Sequence, residues 1–133
     1  MSKTNQNVID QALIEIGVVQ AGDSANATDS ADALTKLNQM MAAWEISDKK
    51  LGFFPQDTLS DTCPIPIWAE DAVINNLAIL LAPSFEIPPS ADTYRKASDG
   101  INLVGRVCIN ENLEGADMSH LGSTRIFNIT QGY

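Results

Sequence analysis

Residues 29–48 read DSADALTKLNQMMAAWEISD, and this stretch decides the fold. Its large apolar side chains recur at steps of three and four residues: Leu34, Leu37, Met41 and Trp44, with Met40 beside Met41. That spacing places them on one face of an α-helix. We expect Thr28 to be the N-cap, because its hydroxyl can accept a hydrogen bond from a free backbone N–H of the first turn. A helix with such a marked apolar face has to bury it against partners.

A shorter helix, from Asn7 to Ile16, is predicted before this stretch. Its apolar residues recur at helical spacing, and Gly17 follows them directly. Glycine enters the left-handed backbone region without strain, so Gly17 is suited to close the helix. Residues 18–27 are rich in Gly, Asp, Ser and Asn, a composition typical of a loop.

Two more helices are predicted towards the C-terminus. The segment from Ile67 to Ala82 follows Pro66 and ends before Pro83, and it is apolar on nearly all sides, as in a central buried helix. The segment from Ala91 to about Asn110 has a narrower apolar face and begins after Ser90, a good N-cap.

We predict that the second, third and fourth helices form an antiparallel core and that the first packs across it. The side chains expected to be buried are Leu34, Leu37, Met41, Trp44, Val73, Leu77, Leu80, Leu81, Ile101 and Val104. Tyr94 belongs to the same apolar face of the fourth helix, and Trp68 is expected to pack in the core or at a hinge. Three asparagines lie on or beside the apolar faces: Asn38, Asn75 and Asn76. They are expected to be surface amides or hydrogen-bonded core amides, or else interface groups that fix the register of two helices.

Gly100 and Gly105 interrupt the fourth helix. Each weakens a helix by about 1 kcal/mol relative to alanine, or else allows a neighbouring helix to approach closely.

The remaining segments lack helical spacing. Residues 50–66 carry Pro55, Pro64 and scattered apolar residues, which fits an ordered loop or a short two-stranded flap. The fold class expected is therefore all-α: an antiparallel bundle of about four helices with a short irregular or β-like flap and an extended C-terminal tail. We divide the chain into a helical domain, 1–110, and a tail, 111–133.

The tail contains one patterned stretch, in which apolar and polar side chains alternate: Arg125, Ile126, Phe127, Asn128, Ile129 and Thr130. A short strand at a chain end has few local contacts to offset its ordering entropy, so its best use is on another chain, by insertion or strand addition. A frayed end, or a segment folded back on its own domain, is the alternative.

The composition restricts the function classes. The net charge of −9 disfavours tight binding to nucleic acid, although it is compatible with DNA passing nearby. His120 is the only histidine, and Cys63 and Cys108 lack metal-type spacing, so we predict no metal, cofactor or catalytic residues and two reduced thiols. The polar N-terminus and the absence of a long apolar run predict no signal peptide and no membrane span.

Three segments, taken in order, resemble a known family. They are ALIEIGVVQAGD at 12–23, DALTKLNQMMAAW at 32–44 and AVINNLAILLAPSF at 72–85. These three sequence motifs are similar to those of the tail accessory factors of short-tailed phages, which are head-to-tail adaptor proteins. The shared residues are Ile16-Gly17, then Ala33, Leu34, Leu37, Asn38, Met41 and Trp44, then Asn76, Leu77, Ala78, Leu81, Ala82 and Pro83.

The resemblance implies a virion protein of the head-tail junction, assembled in the host cytoplasm. It implies a chain that is monomeric alone and forms a ring of twelve copies beneath the portal protein ring, with DNA only passing through the channel. Arg125 to Thr130 is the segment expected to reach the portal, and tail nozzle or needle proteins are expected to dock later.

The sequence leaves two alternatives to an adaptor. A tail-associated cell-wall glycan hydrolase needs two carboxylates about 5–10 Å apart, for which Glu45 with Asp48, or Glu70 with Asp71, are candidates. Acidic residues at a helix start are also what the helix dipole favours, and we predict no enzymatic activity. The second alternative is a small bacterial helical regulator, which needs no motif. A basic recognition surface would favour it, and with only 8 Lys and Arg none is evident in the sequence.

Overall fold

The computed structural model describes residues 3–115, and for 110–115 the backbone only. Four α-helices are present in this range: α1 at Asn5–Glu15, α2 at Ala27–Ile46, α3 at Glu70–Leu81 and α4 at Ala91–Gly115. Short 3-10 helices precede and follow α3, at Ile67–Ala69 and Ala82–Phe85. The described residues form no β-strand, so the all-α prediction is confirmed; one isolated antiparallel bridge joins Thr4 to Thr62.

Helix boundaries follow local capping chemistry. In α1 the backbone N–H of Val18 donates to the carbonyl of Leu13, that of Gly17 donates to Ile14, and Gly17 has φ +81°, as expected for a left-handed helix end. The prediction that Thr28 is the N-cap of α2 is wrong, because the helix begins two residues earlier than expected. The Asn26 side chain accepts from the N–H of Asp29 at 2.8 Å and takes that role.

The helix predicted over 67–82 is an α-helix only from Glu70 to Leu81. Pro83 supplies no N–H for an α-helical hydrogen bond, which favours the 3-10 segment after α3. At the other end, the carbonyl of Pro66 accepts from the N–H of Ala69 and closes the first 3-10 turn. Ser90 caps α4 as expected, accepting from the N–H of Thr93 at 3.1 Å. That helix continues to Gly115, past the expected end at Asn110.

Helix α3 is the centre of the bundle. It packs most extensively against α4 and α1 and also contacts α2, so α1 contributes to the core more than predicted. The side chain of Asn76 donates to the carbonyl of Ala97, and Gly100 lies against Ala72. Asn76 thus pairs with residue 97 and Ala72 with residue 100, so α3 and α4 run antiparallel. Asn76 is therefore an interface amide that fixes register.

Most of the predicted core is buried, but Ile101 is only half-buried and three further side chains are exposed. Leu77, Met41 and Leu37 have no exposed surface, whereas Leu80 is 41% exposed, Tyr94 51% and Trp68 39%. In α4 the buried face contains Thr93, Ala97, Val104 and Cys108. Thr93 takes the place expected for Tyr94, because its hydroxyl pairs with that of Ser90 and so can be buried.

Candidate functional site

Residues 47–66 connect α2 to the 3-10 turn before α3, and helix side chains hold this segment in place. Asn38 donates to the carbonyl of Gln56 at 2.9 Å and accepts from the N–H of Gln56 at 2.9 Å. Asn5 donates to the Gln56 side chain and to the carbonyl of Thr58, and Glu45 accepts from the N–H of Leu51 at 2.6 Å. The connection is therefore an ordered loop, and these amides and this carboxylate serve structural roles.

Loss of the Asn38 side chain should loosen this loop. Asn38→Ala removes both hydrogen bonds to Gln56, and the net value of two such bonds predicts a loss of about 1–2 kcal/mol in the free energy of unfolding. Urea denaturation measures the loss, and limited proteolysis should find new cleavage within 47–66. Asn7→Ala, at an exposed position of α1, is the control and should change neither. Unchanged protease resistance in Asn38→Ala would show that other contacts hold the loop.

One end of the bundle exposes large apolar side chains. We call Ile46 and Ile109 the apolar end; they are 88% and 45% exposed. Ile46 is the last residue of α2. Ile67 and Trp68, which precede α3, are also exposed, at 60% and 39%. The thiol of Cys108 donates to the carbonyl of Lys50 at 3.1 Å, which brings Ile109 and α4 to the same end. Exposed apolar groups gathered at one place are typical of a protein-binding surface.

Basic side chains accompany the apolar end. Lys50 and Arg106 are exposed and form no ion pair with any residue in 3–109. Lys49 differs, because its ammonium contacts Asp48 at 2.9 Å and thereby lowers the pKa of that carboxyl. The end of the bundle thus combines apolar and unpaired cationic groups in a chain whose net charge is −9.

A groove of about 420 Å³ lies at the other end of α2, between its first turns and the segment after α3. Asp29, Asp32 and Lys36 line it from α2, and Leu81 and Phe85 line it from the opposite side. Asp29 also borders an adjoining hollow with Asp23. None of these three aspartates forms an ion pair within the described residues.

The carboxylates considered for glycan hydrolysis have other roles or surroundings. Glu45 holds the backbone N–H groups of Leu51 and Gly52, and Asp48 pairs with Lys49. Glu70 is buried while its neighbour Asp71 is exposed, so the two side chains lie in different environments. Burial, and secondarily the charge of Glu70, raise the pKa of the Cys63 thiol to about 12, which makes this thiol a poor nucleophile.

The described part of the chain contains no group of three His, Cys, Asp or Glu side chains that could hold a metal ion. Within residues 3–115, no helix has the length and apolar character needed to cross a membrane. Cys63 and Cys108 are both free and buried. The predicted portal-binding residues, Arg125 to Thr130, lie outside the described residues.

Sequence reasoning did not identify the surface that the structure brings together. Ile46 lies on α2 and Ile109 on α4, and nothing in their spacing predicts that the bond between Cys108 and Lys50 brings them to the same end of the bundle. The signal that could have found Ile46 is its place outside the α2 apolar face, since Leu37, Met41 and Trp44 point inward. An isoleucine on the polar side of a helix is a candidate interface residue.

Comparison with known proteins gives the family. A search of curated proteins returned no match. The family model described as P22 tail accessory factor matches residues 1–124, which is nearly the whole chain. That family is generally structural and supplies components of the phage virion. The match agrees with the resemblance carried by the three helix motifs, and this chain therefore belongs to the P22 tail accessory factor family.

Proposed function

We propose that this protein is the head-to-tail adaptor of a short-tailed phage. In this role it binds beneath the portal ring as a ring of twelve copies, extends the DNA channel and provides the platform on which nozzle or needle proteins dock. The observation that carries the proposal is the family match over residues 1–124, because tail accessory factors have a tail-associated role.

The geometry supports an assembly role. Helix α4 reaches the apolar end at Cys108 and Ile109 and continues to Gly115. The exposed apolar side chains of this end suit a protein that completes its contacts on a partner. The net charge of −9 suits a channel wall past which DNA moves without sticking.

Removing residues 116–133 tests the proposal. The truncated protein retains all four helices and every buried residue named above, so its melting temperature should stay within a few degrees of the full chain. Its binding to purified portal rings should be lost, since the segment Arg125 to Thr130 is the proposed contact. Sedimentation of protein–portal mixtures measures the binding, and thermal denaturation by circular dichroism measures stability.

Two matched variants locate the contact within that segment. Phe127→Ser with Ile129→Ser removes the apolar side chains of one side of the alternating stretch and should abolish binding. Asn128→Ser with Thr130→Ser alters polar side chains of the other side and should leave binding intact. Portal binding by the truncated protein would show that the helical body carries the contact, and failure of the full chain to bind would refute the proposed function.

A further inference from the structure

A polar hollow lies where α1, α3 and α4 meet. Glu15 lines it from α1, Asp71 and Asn75 from α3, and Lys96 and Asp99 from α4. Its volume is about 280 Å³. Sites for small organic molecules usually enclose about 300–1,000 Å³ and are mostly apolar. The polar hollow is therefore suited to the charged or polar end of one side chain.

The charges of the polar hollow do not balance among the residues that line it. Three of these side chains are carboxylates and one is an ammonium, which gives a net charge of −2. The ammonium of Lys96 is already 3.3 Å from Glu15, and Asp99 contacts Arg95 at 3.5 Å. Asp71 forms no ion pair with any side chain in 3–109. Asp71 is therefore the carboxylate of the hollow that is open to a further cation.

Asn75 adds a buried acceptor that has no donor within the described residues. This residue is only 5% exposed, and its Nδ2 donates to the carbonyl of Asp71 at 2.8 Å, which fixes the amide group. Oδ1, on the opposite side of the amide group, is buried and accepts no hydrogen bond from the described part of the chain. An unpaired buried acceptor is unfavourable, so a donor that enters the hollow is stabilised there.

A guanidinium suits these acceptors better than a metal ion or an ammonium. Among the described residues, no three His, Cys, Asp or Glu side chains are placed to hold a metal ion. A guanidinium is planar, always charged and carries several N–H donors, so it can contact the carboxylate of Asp71 and the amide oxygen of Asn75 together. An ammonium is a compact charge that holds its water more strongly.

We infer that the polar hollow receives the guanidinium of an arginine side chain from a protein partner, bound by the carboxylate of Asp71 and by Oδ1 of Asn75. The size of the hollow and its acceptors define the chemistry of the ligand. The inference rests on the proposed function only for the source of the arginine, since an adaptor is in contact with other proteins. A charged contact of this kind fixes the orientation of two proteins more than it adds affinity.

A titration of the full chain with Nα-acetyl-arginine amide tests the polar hollow itself. The NMR signals of the Asn75 side-chain amide should shift and saturate. Asp71→Asn should weaken binding by up to about fivefold, the upper range for an exposed ion pair. Asp57→Asn removes an exposed carboxylate in the loop over 47–66 and should leave binding unchanged.

The citrulline analogue is the control ligand, because it has the shape of arginine without the charge, and it should bind more weakly. No shift at Asn75, or equal shifts with the two ligands, would overturn the inference, because water alone would then satisfy Oδ1. This titration needs no other protein. If the unmodified chain failed to bind portal rings, the adaptor role would be refuted, and the titration would still decide whether the hollow binds a guanidinium.

Asp71→Arg tests the source of the arginine, because it replaces the open carboxylate by a second cation at the hollow. Asp71 is exposed, so the melting temperature should stay within a few degrees of the unmodified chain. Asp57→Arg makes the same change of charge elsewhere and should assemble normally. Native mass spectrometry counts the copies on each portal ring. Loss of all copies with Asp71→Arg assigns the arginine to the portal, incomplete rings assign it to a neighbouring copy, and complete rings would overturn the inference.

Discussion

Replacing Leu77 by alanine should lower the free energy of unfolding by about 2–5 kcal/mol, the usual range for a leucine in a closed core. Leu77 has no exposed surface and lies in α3, the helix that contacts α1, α2 and α4. A cavity at this position removes contacts from several helices together, and helices packed on all sides cannot easily move inward to fill it. Urea denaturation gives the change as a shift of the midpoint at constant slope.

Leu80→Ala is the matched control for this prediction. The same substitution is made one turn further along the same helix, where the side chain is 41% exposed. Its cost should be about 1 kcal/mol, the centre of the range for point mutations. Equal losses for the two variants would mean that Leu80 is covered in solution, and a negligible loss for Leu77 would contradict its place at the centre of the bundle.

The pattern of apolar residues predicted the fold class because each helix buries one face. Leu34, Leu37, Met41 and Trp44 recur at helical spacing and are all buried, and the breaks at Gly17 and Pro83 coincide with helix ends. Capping was less predictable. Thr28 and Asn26 both have side chains that can cap a helix. Which of them does so depends on the residue at which the backbone changes from the extended loop to the helix.

Tertiary contacts decided the features that the sequence could not. Leu80 and Tyr94 belong to apolar faces by spacing but are 41% and 51% exposed, so no element among the described residues covers them fully. The loop over 47–66 is fixed by Asn5, Asn38 and Glu45, which are far from it along the chain. The candidate interaction surface likewise depends on how the ends of α2 and α4 come together, and this packing has no signature within a single segment.

Gly100 and Gly105, both in α4, provide a prediction in which the same substitution has opposite effects. A Cβ added at Gly100 would lie 2.8 Å from the Cα and Cβ of Ala72, whereas a Cβ at Gly105 would meet nothing within 4 Å. Gly100→Ala should therefore destabilise the protein by about 1–3 kcal/mol, the usual cost of overpacking. Gly105→Ala should stabilise it by up to about 1 kcal/mol, because alanine is the better helix former.

The reason for the difference lies in the contact between α3 and α4. The atoms that would meet the new methyl group at Gly100 belong to the backbone and the Cβ of Ala72, so no flexible side chain can move aside. Relief requires the two helices to separate, which would also lengthen the hydrogen bond from Asn76 to the carbonyl of Ala97, 3.1 Å long. Thermal denaturation of both variants measures the effect, and a stabilised Gly100→Ala would show that α3 and α4 are further apart in solution.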